Sequence, residues 1–355
     1  MKKTKLLVKI VGAIVAILII CVITVLIVWR NQIATVRSIK QIDEYPILTM
    51  DYKGTYWFDD FMKTEGMISG EDFMSFFNSK LSHGIIKNKG AMGERSEAQC
   101  TCFVCRDENG NVLYCRNSDT TNGKYCPPVI ITEHDGTYSS VGAAVLFGAP
   151  EGAPEVLKRI NMLAEPYYMC DGMNEAGVAV SLLSVPFSEA PKNENVPVLD
   201  SEQICRLILN EASDVDKAIA LFDTFNPASS MLKINSASHF FIADKSGRAV
   251  VVELYDGRVE VVESLQDNYM TVTNFYLNSY TLAGTGQARY KYVEEALEEA
   301  GGVLSTQEAF ELLASVKDPY IHTEWTCIYN LTTGEMHIMP KSQLDHIHKI
   351  EYSFD

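Results

Sequence analysis

The chain of 355 residues carries 46 acidic and 30 basic side chains, and 47% of it is apolar, enough for a sizeable core. The first thirty residues hold five basic groups (Lys2, Lys3, Lys5, Lys9 and Arg30) and no acidic one, so residues 31–355 have a formal charge of −21, 46 acidic against 25 basic. Such a surface disfavours a nucleic acid partner, whose binding rests on phosphate neutralisation.

Ile10 to Trp29, "IVGAIVAILIICVITVLIVW", is 20 residues without a charge. At 1.5 Å per residue a helix of this length reaches about 30 Å, the thickness of a bilayer's hydrocarbon core. A secretory signal peptide has a shorter apolar core and a small-residue cleavage site. Cys21 does not mark a lipoprotein, because a bulky Ile20 precedes it and the apolar run continues past it. Four lysines before the span against Arg30 after it place residues 1–9 in the cytoplasm. Residues 10–29 are therefore expected to be a single-pass signal anchor in the cell membrane, with the remainder extracytoplasmic.

Residues 30–99 show apolar residues at roughly helical spacing in "ATVRSIKQIDEYPILTM" and "GEDFMSFFNSKL", and are expected to form a helical leader. In "FMSFF" the aromatics are expected to serve helix packing. From Cys100 the texture turns to strands. "CTCFVCR" and "VLYCRN" flank "DENGN" and predict a hairpin. "HFFIAD", "AVVVEL", "VEVVES", "YMTVTNF", "EWTCIYNL" and "MHIMP" predict further strands. Helices are predicted at "SEQICRLILNEAS" with Ser201 as cap, "DVDKAIALFDTF" with Asp214 as cap, "QARYKYVEEALEEA" and "STQEAFELLASV". Strand runs separated by paired helices point to layered α+β, and no GxGxxG, P-loop or HExxH motif occurs.

The most informative stretch is "QCTCFVCRDENGNVLYCRNSD", Gln99 to Asp119. Three chemistries compete for its cysteines. A zinc knot would draw on Cys100, Cys102 and Cys105, with Cys115 and Cys126 nearby, but Cys100 and Cys102 alternate on one strand face and Cys105 points to the other. That spacing suits a strand, and no metal is expected here. Disulfides suit an oxidising compartment, and residues 31–355 hold eight cysteines. Pairing does not account for the Arg116-Asn117-x-Asp119 that follows. The third reading makes Cys100 a nucleophile. The return strand of the hairpin brings Arg116 to stabilise a thiolate and Asp119 to hold an amine or proton. No histidine is required if the base is the α-amine of Cys100, whose unperturbed pKa is about 7.7–8.0. That requires a cut between Gln99 and Cys100.

Residues 100–119 resemble the opening signature of the linear amide C–N hydrolases. These form the choloylglycine hydrolase, penicillin V acylase and acid-ceramidase-like branch of the N-terminal nucleophile (Ntn) hydrolases. Cys100-Thr101 matches the family's mature start, and Arg116 and Asp119 lie at its spacing. "DGMNEAGVAVSLLS" (171–184) resembles its Met-Asn-Glu-x-Gly-Leu segment, which implies Asn174 at the oxyanion site. "VTNFYL" (272–277) resembles its Thr-Asn segment, implying that Asn274 donates to the same oxyanion. "ARYKYV" (288–293) resembles a later helix with an active-site arginine, pointing to Arg289, and "EWTCIYNLTTGEMHI" resembles the closing hairpin. Read without the resemblance, Asn174 is an ordinary turn residue, Asn274 a cap, and Arg289 a surface pair beside Glu295, Glu298 and Glu299. His134, His239, His322, His337, His346 and His348 form no readable triad and are expected to be structural or exposed.

The resemblance implies a four-layer αββα sandwich over residues 100–355, with 30–99 as a leader or propeptide. It implies hydrolysis of a linear amide through a Cys100 thioester, with no cofactor. Conjugated bile salts, penicillin V and N-acyl amino acids are all compatible substrates, and homo-oligomers are left open. Two departures stand out: Cys115 replaces the glycine usually found before Arg-Asn and is expected to crowd the site or pair with another thiol, and the leader is long. An acyltransferase on the same scaffold and a non-catalytic extracellular binding domain are the rival expectations.

Overall fold

Two β-sheets face each other across a core built from the alternate residues of their strands. The structure, a computed structural model, describes residues 2–45, 47–66, 70–85, 98–120, 127–133, 136–145, 152–228, 236–278, 283–316 and 322–354. Cys126 and His134 lie outside the described residues.

The first sheet has nine strands. They are β1 (Lys40–Gln41), β2 (Leu48–Tyr52), β5 (Pro128–Thr132), β6 (Ser140–Ala143), β7 (Asp171–Asn174), β8 (Val178–Pro186), β11 (Ser236–Asp244), β12 (Ala249–Tyr255) and β13 (Arg258–Glu263), hydrogen-bonded in that order. The second sheet runs β14 (Met270–Val272), β3 (Ala98–Arg106), β4 (Val112–Thr120), β15 (His322–Asn330), β16 (Glu335–Pro340) and β17 (His348–Lys349). A short parallel pair, β9 (Val198–Leu199) and β10 (Asn226–Pro227), stands apart. The helices are α1 (Lys2–Val28), α2 (Arg30–Ser38), α3 (Phe58–Phe61), α4 (Gly70–Leu81), α5 (Glu155–Asn161), α6 (Ser201–Glu211), α7 (Val215–Ala220), α8 (Gln287–Glu299) and α9 (Thr306–Ser315).

Period-two alternation sorts the strand side chains among the three larger apolar clusters of the described residues. Cys100, Cys102 and Val104 of β3 meet Ala179, Leu183, Phe241 and Ala243 of the nine-stranded sheet between the sheets. The intervening Phe103 and Cys105 turn outward, with Leu113 and Cys115, onto Val293 and Leu297 of α8 and Phe310 and Leu313 of α9. On the far side, Val178, Val180, Phe240 and Ile242 meet Ile204, Leu207 and Ile208 of α6. Tyr114 links the sheets, stacked on Phe241 at 5.1 Å with its hydroxyl donating to Phe241 O at 2.9 Å.

Several expectations hold. The 100–117 hairpin forms with Cys105 opposite Leu113, and Asp214 caps α7 by accepting from Lys217 N–H at 2.8 Å. The cap of α6 is Asp200 rather than Ser201, because its carboxylate closes a capping box with Gln203. "YMTVTNF" is strand only over Met270–Val272, after which the chain leaves the sheet.

The leader departs furthest from its expectation. It holds helices, but it also supplies β1 and β2, and β2 pairs in parallel with β5 from Leu48 opposite Pro128 to Tyr52 opposite Thr132. Its aromatics Tyr56, Phe58, Phe61 and Phe73 surround Tyr167, with ring centroids 4.9–6.2 Å away. Tyr167 donates its hydroxyl to Tyr56 O at 2.6 Å. The segment is thus part of the domain core. Within α1, Lys9–Val28 is long and apolar enough to cross a membrane, and none of it is buried against the protein. Phe73→Ala is expected to cost about 3–5 kcal/mol of stability, read as a lower urea midpoint; an unchanged midpoint would show the leader to be dispensable to the core.

Candidate active site

The hairpin register decides which side chains can reach Cys100. Cys100 pairs with Ser118, Cys102 with Arg116 and Gln99 with Asp119. Arg116 therefore lies on the inter-sheet face with Cys100, its Nη2 3.4 Å from Cys100 Sγ. Both are buried, Cys100 at 0% and Arg116 at 1% exposure. Burial, with the Asp119 carboxylate, pushes the Cys100 thiol above its ordinary pKa, while Arg116, an N–H from the Asp119 backbone and Arg289 pull it back only in part.

A guanidinium in this position needs a counter-charge, and the opposite sheet supplies it. Asp171 Oδ2, on β7, is 3.2 Å from Arg116 Nε, and Arg116 Nη1 donates to Cys170 O. Trp325 Nε1 donates to Asp171 Oδ2 at 3.2 Å, and the Tyr329 hydroxyl bonds Oδ1. Burial disfavours the charge on Arg116, but Cys100 and Asp171 outweigh it and raise its pKa further above the ordinary value.

Arg289 reaches the same place from α8. Nη1 donates to Cys100 O at 2.8 Å and Thr101 Oγ1 at 2.7 Å, and Nη2 donates to Gln99 Oε1 at 2.9 Å and Asn274 Oδ1 at 3.0 Å. Asp119 Oδ2 lies 3.8 Å from Nη1, and its Oδ1 accepts from Thr323 Oγ1 at 2.7 Å. Arg289 is thus buried over the Gln99–Cys100 bond rather than paired on the surface. Gly286, which caps α8 at φ 88°, makes the approach feasible, since a Cβ there would lie 2.8 Å from Arg289 Nη2.

Asn274 completes the cluster. Its Oδ1 accepts from Cys100 N–H at 2.7 Å, and its Nδ2 donates to Ser184 O at 2.8 Å. An amide nitrogen carries two protons, so Ser184 takes one of them. Behind it, buried His239 contacts Thr273 O through Nε2 at 2.8 Å and Glu253 Oε1 through Nδ1 at 3.5 Å. Glu253 also accepts from Leu277 N–H, Asn278 N–H and Asn278 Nδ2. This network holds the irregular chain that carries Asn274.

The side chain of Asn174 is engaged elsewhere. Its Nδ2 donates to Leu209 O at 3.1 Å and Ala212 O at 2.8 Å, and its Oδ1 accepts from Val178 N–H at 3.0 Å. Both side-chain amide protons are committed to the end of α6. Asn174 is the turn residue of the β7–β8 hairpin. Cys115 does not crowd Cys100: it faces outward beside Phe103, with its thiol against that of Cys105. None of the described cysteines is in a disulfide. The parts played by Asp171, Thr323, Trp325, Tyr329 and Glu253 escaped the sequence reading.

Residues 100–294 match the sequence model of a family described as linear amide C–N hydrolases, choloylglycine hydrolase family. The chain belongs to this family. The match begins at Cys100 itself. Among solved structures, a mutant of the conjugated bile acid hydrolase from Clostridium perfringens is similar, at 16% identity and TM-score 0.49, over 72% of this chain and 97% of that one. The penicillin V acylase from Agrobacterium tumefaciens is similar at 19% identity and TM-score 0.45, over 68% and 83% respectively. No curated protein matches the sequence.

Two stability outcomes follow from this hydrolase's buried charges. Asp171→Asn leaves Arg116 buried without its anion and is expected to cost about 3–5 kcal/mol, measured by urea unfolding. Burial pushes the Glu253 carboxyl up, but hydrogen bonds from His239, Leu277 and Asn278 outweigh it and hold its pKa below the ordinary value. A depressed folded pKa contributes stability that is full above the unfolded value, about 4.3, and is lost as pH falls through the folded one. Glu253→Gln is therefore expected to cost about 1–3 kcal/mol at pH 7, with the gap to wild type closing below about pH 4. A gap constant with pH would contradict this assignment.

Proposed function

We propose that this family member hydrolyses the linear amide of an N-acyl compound through a Cys100 thioester, after cleavage of the Gln99–Cys100 bond. The observation that carries the reading is the convergence of Arg116, Arg289 and Asn274 on the thiol, carbonyl and N–H of Cys100. In the reaction proposed, the freed α-amine takes the thiol proton while Sγ bonds the substrate carbonyl carbon. The developing oxyanion accepts the second proton of Asn274 Nδ2, a donor of the kind worth about 2.7–4 kcal/mol. The C–N bond then breaks and the amine leaves with the proton held by the α-ammonium. Water, deprotonated by the same amine, attacks the thioester, releasing the acid and restoring the thiol. Asp119 and Arg289 fix the amine and the chain start, and Arg116 stabilises the thiolate.

The maturation step draws on the same groups. Cys100 Sγ adds to the Gln99 carbonyl carbon, the Gln99–Cys100 C–N bond breaks as the nitrogen gains a proton, and water hydrolyses the resulting thioester. Three stacked apolar clusters, with helices outside each sheet, support the four-layer αββα arrangement of Ntn hydrolases. The unburied apolar helix before Trp29 supports a single-pass anchor, with residues 1–9 cytoplasmic and the catalytic part extracytoplasmic. The substrate is a small N-acyl amide, with bile-salt conjugates, penicillin V and N-acyl amino acids as the candidate set.

A panel of these amides tests the reading. Wild type is expected to release acid and amine from at least one class, with a thioester on Cys100 detected by mass spectrometry after acid quench. Cys100→Ser is expected to lose thioester and turnover, and Asn274→Ala to lower kcat by about 10²–10³-fold. Turnover retained by Cys100→Ala would contradict the mechanism.

A further inference from the structure

Asp43, His346 and His348 form a cluster that the hydrolytic chemistry does not use. Asp43 lies between β1 and β2; His346 ends the 3-10 turn before β17 and His348 begins β17, 303 and 305 residues away in sequence. His346 Nδ1 is 3.0 Å from Asp43 Oδ2, and His348 Nε2 hydrogen-bonds the same oxygen. The three candidate ligand atoms all lie within 4.8 Å of one another. The Asp43 side chain is 3% exposed and the two histidines 29% and 30%, so the cluster opens to solvent on the imidazole side.

The Asp43 carboxylate is held in place by its own turn. Asp43 Oδ1 accepts from Tyr45 N–H at 2.8 Å, which turns Oδ2 toward both rings. Glu44 Oε1 stands 3.9 Å from Nε2 of His346, the nitrogen on the far side of the ring. Tyr45 packs edge-on against the His346 ring, centroids 5.0 Å apart. Two imidazoles and one carboxylate are donors suited to borderline divalent ions, and tetrahedral bonds of about 2.0–2.1 Å place ligands roughly 3.3 Å apart.

We propose that Asp43, His346 and His348 bind one divalent transition-metal ion of the zinc class, with water completing its shell, and that the ion clasps the leader to the C-terminal strand. The site stands independently of the hydrolase mechanism. It also gives the leader a hold on the C-terminal strand that does not run through the Gln99–Cys100 bond.

Zinc titration of detergent-solubilised, chelator-stripped full-length protein by calorimetry tests the proposal, with magnesium as comparator. Wild type is expected to take up about one zinc per chain and no comparable magnesium. The double variant His346→Gln/His348→Gln is expected to lose that uptake, and His322→Gln to leave it unchanged. Cobalt on wild type supplies a check independent of variant folding, since an imidazole–carboxylate site gives visible absorption without a thiolate charge-transfer band. No zinc uptake by wild type, uptake retained by the double variant, or a cobalt–thiolate band would each overturn it.

Discussion

A guanidinium sealed between two β-sheets is the constraint on which the rest of this structure depends. Arg116 sits on one sheet beside the thiol of Cys100, and the Asp171 carboxylate crosses from the other sheet to meet it. A charge so far from water persists only if it is paired and hydrogen-bonded. Trp325 and Tyr329 hold the carboxylate in turn, and Arg116 also reaches the carbonyl of Cys170. The pair therefore fixes the two sheets relative to each other where the thiol lies. It also lowers the cost of a thiolate in a place where burial alone would forbid one.

Around that pair the site is assembled from segments that have no local reason to meet. Arg289 comes from the first turn of α8, Asn274 from a chain that has just left β14, and Asp119 from the end of β4. Each is held by a partner outside the cluster: Gly286 leaves room for the arginine, Thr323 bonds Asp119, and the His239–Glu253 network fixes the chain around Asn274. The leader takes part as well. Gln99 bonds Arg289, and further upstream the leader contributes two strands and an aromatic cluster to the core. Cutting the chain after Gln99 would free an amine without removing that packing.

Much of this was legible in the sequence, and the gaps have physical causes. The hairpin over 100–117 showed itself through alternation and an Asn-Gly turn, and the alternation correctly put Cys100 and Cys102 on one face and Cys105 on the other. β5 to β8 left no such trace, because strands buried on both faces lack a polar stripe. The leader was read as helical because β2 is only five residues long and gains its pairing from β5, some eighty residues on. Among the site residues, Arg116, Asp119, Asn274 and Arg289 come together. The side chain of Asn174 does not join them, since a segment resemblance cannot show where an amide points. Asp171 was missed because a counter-ion is recognisable only once the sheet opposite is known.

The most direct test is the N-terminal sequence of the chain that carries the activity, taken from turnover-competent protein after separation of any cleaved leader. The account predicts a sequence beginning Cys-Thr-Cys-Phe, with the 1–99 fragment still associated until denaturant is added. Full activity in protein whose Gln99–Cys100 bond is intact would contradict it.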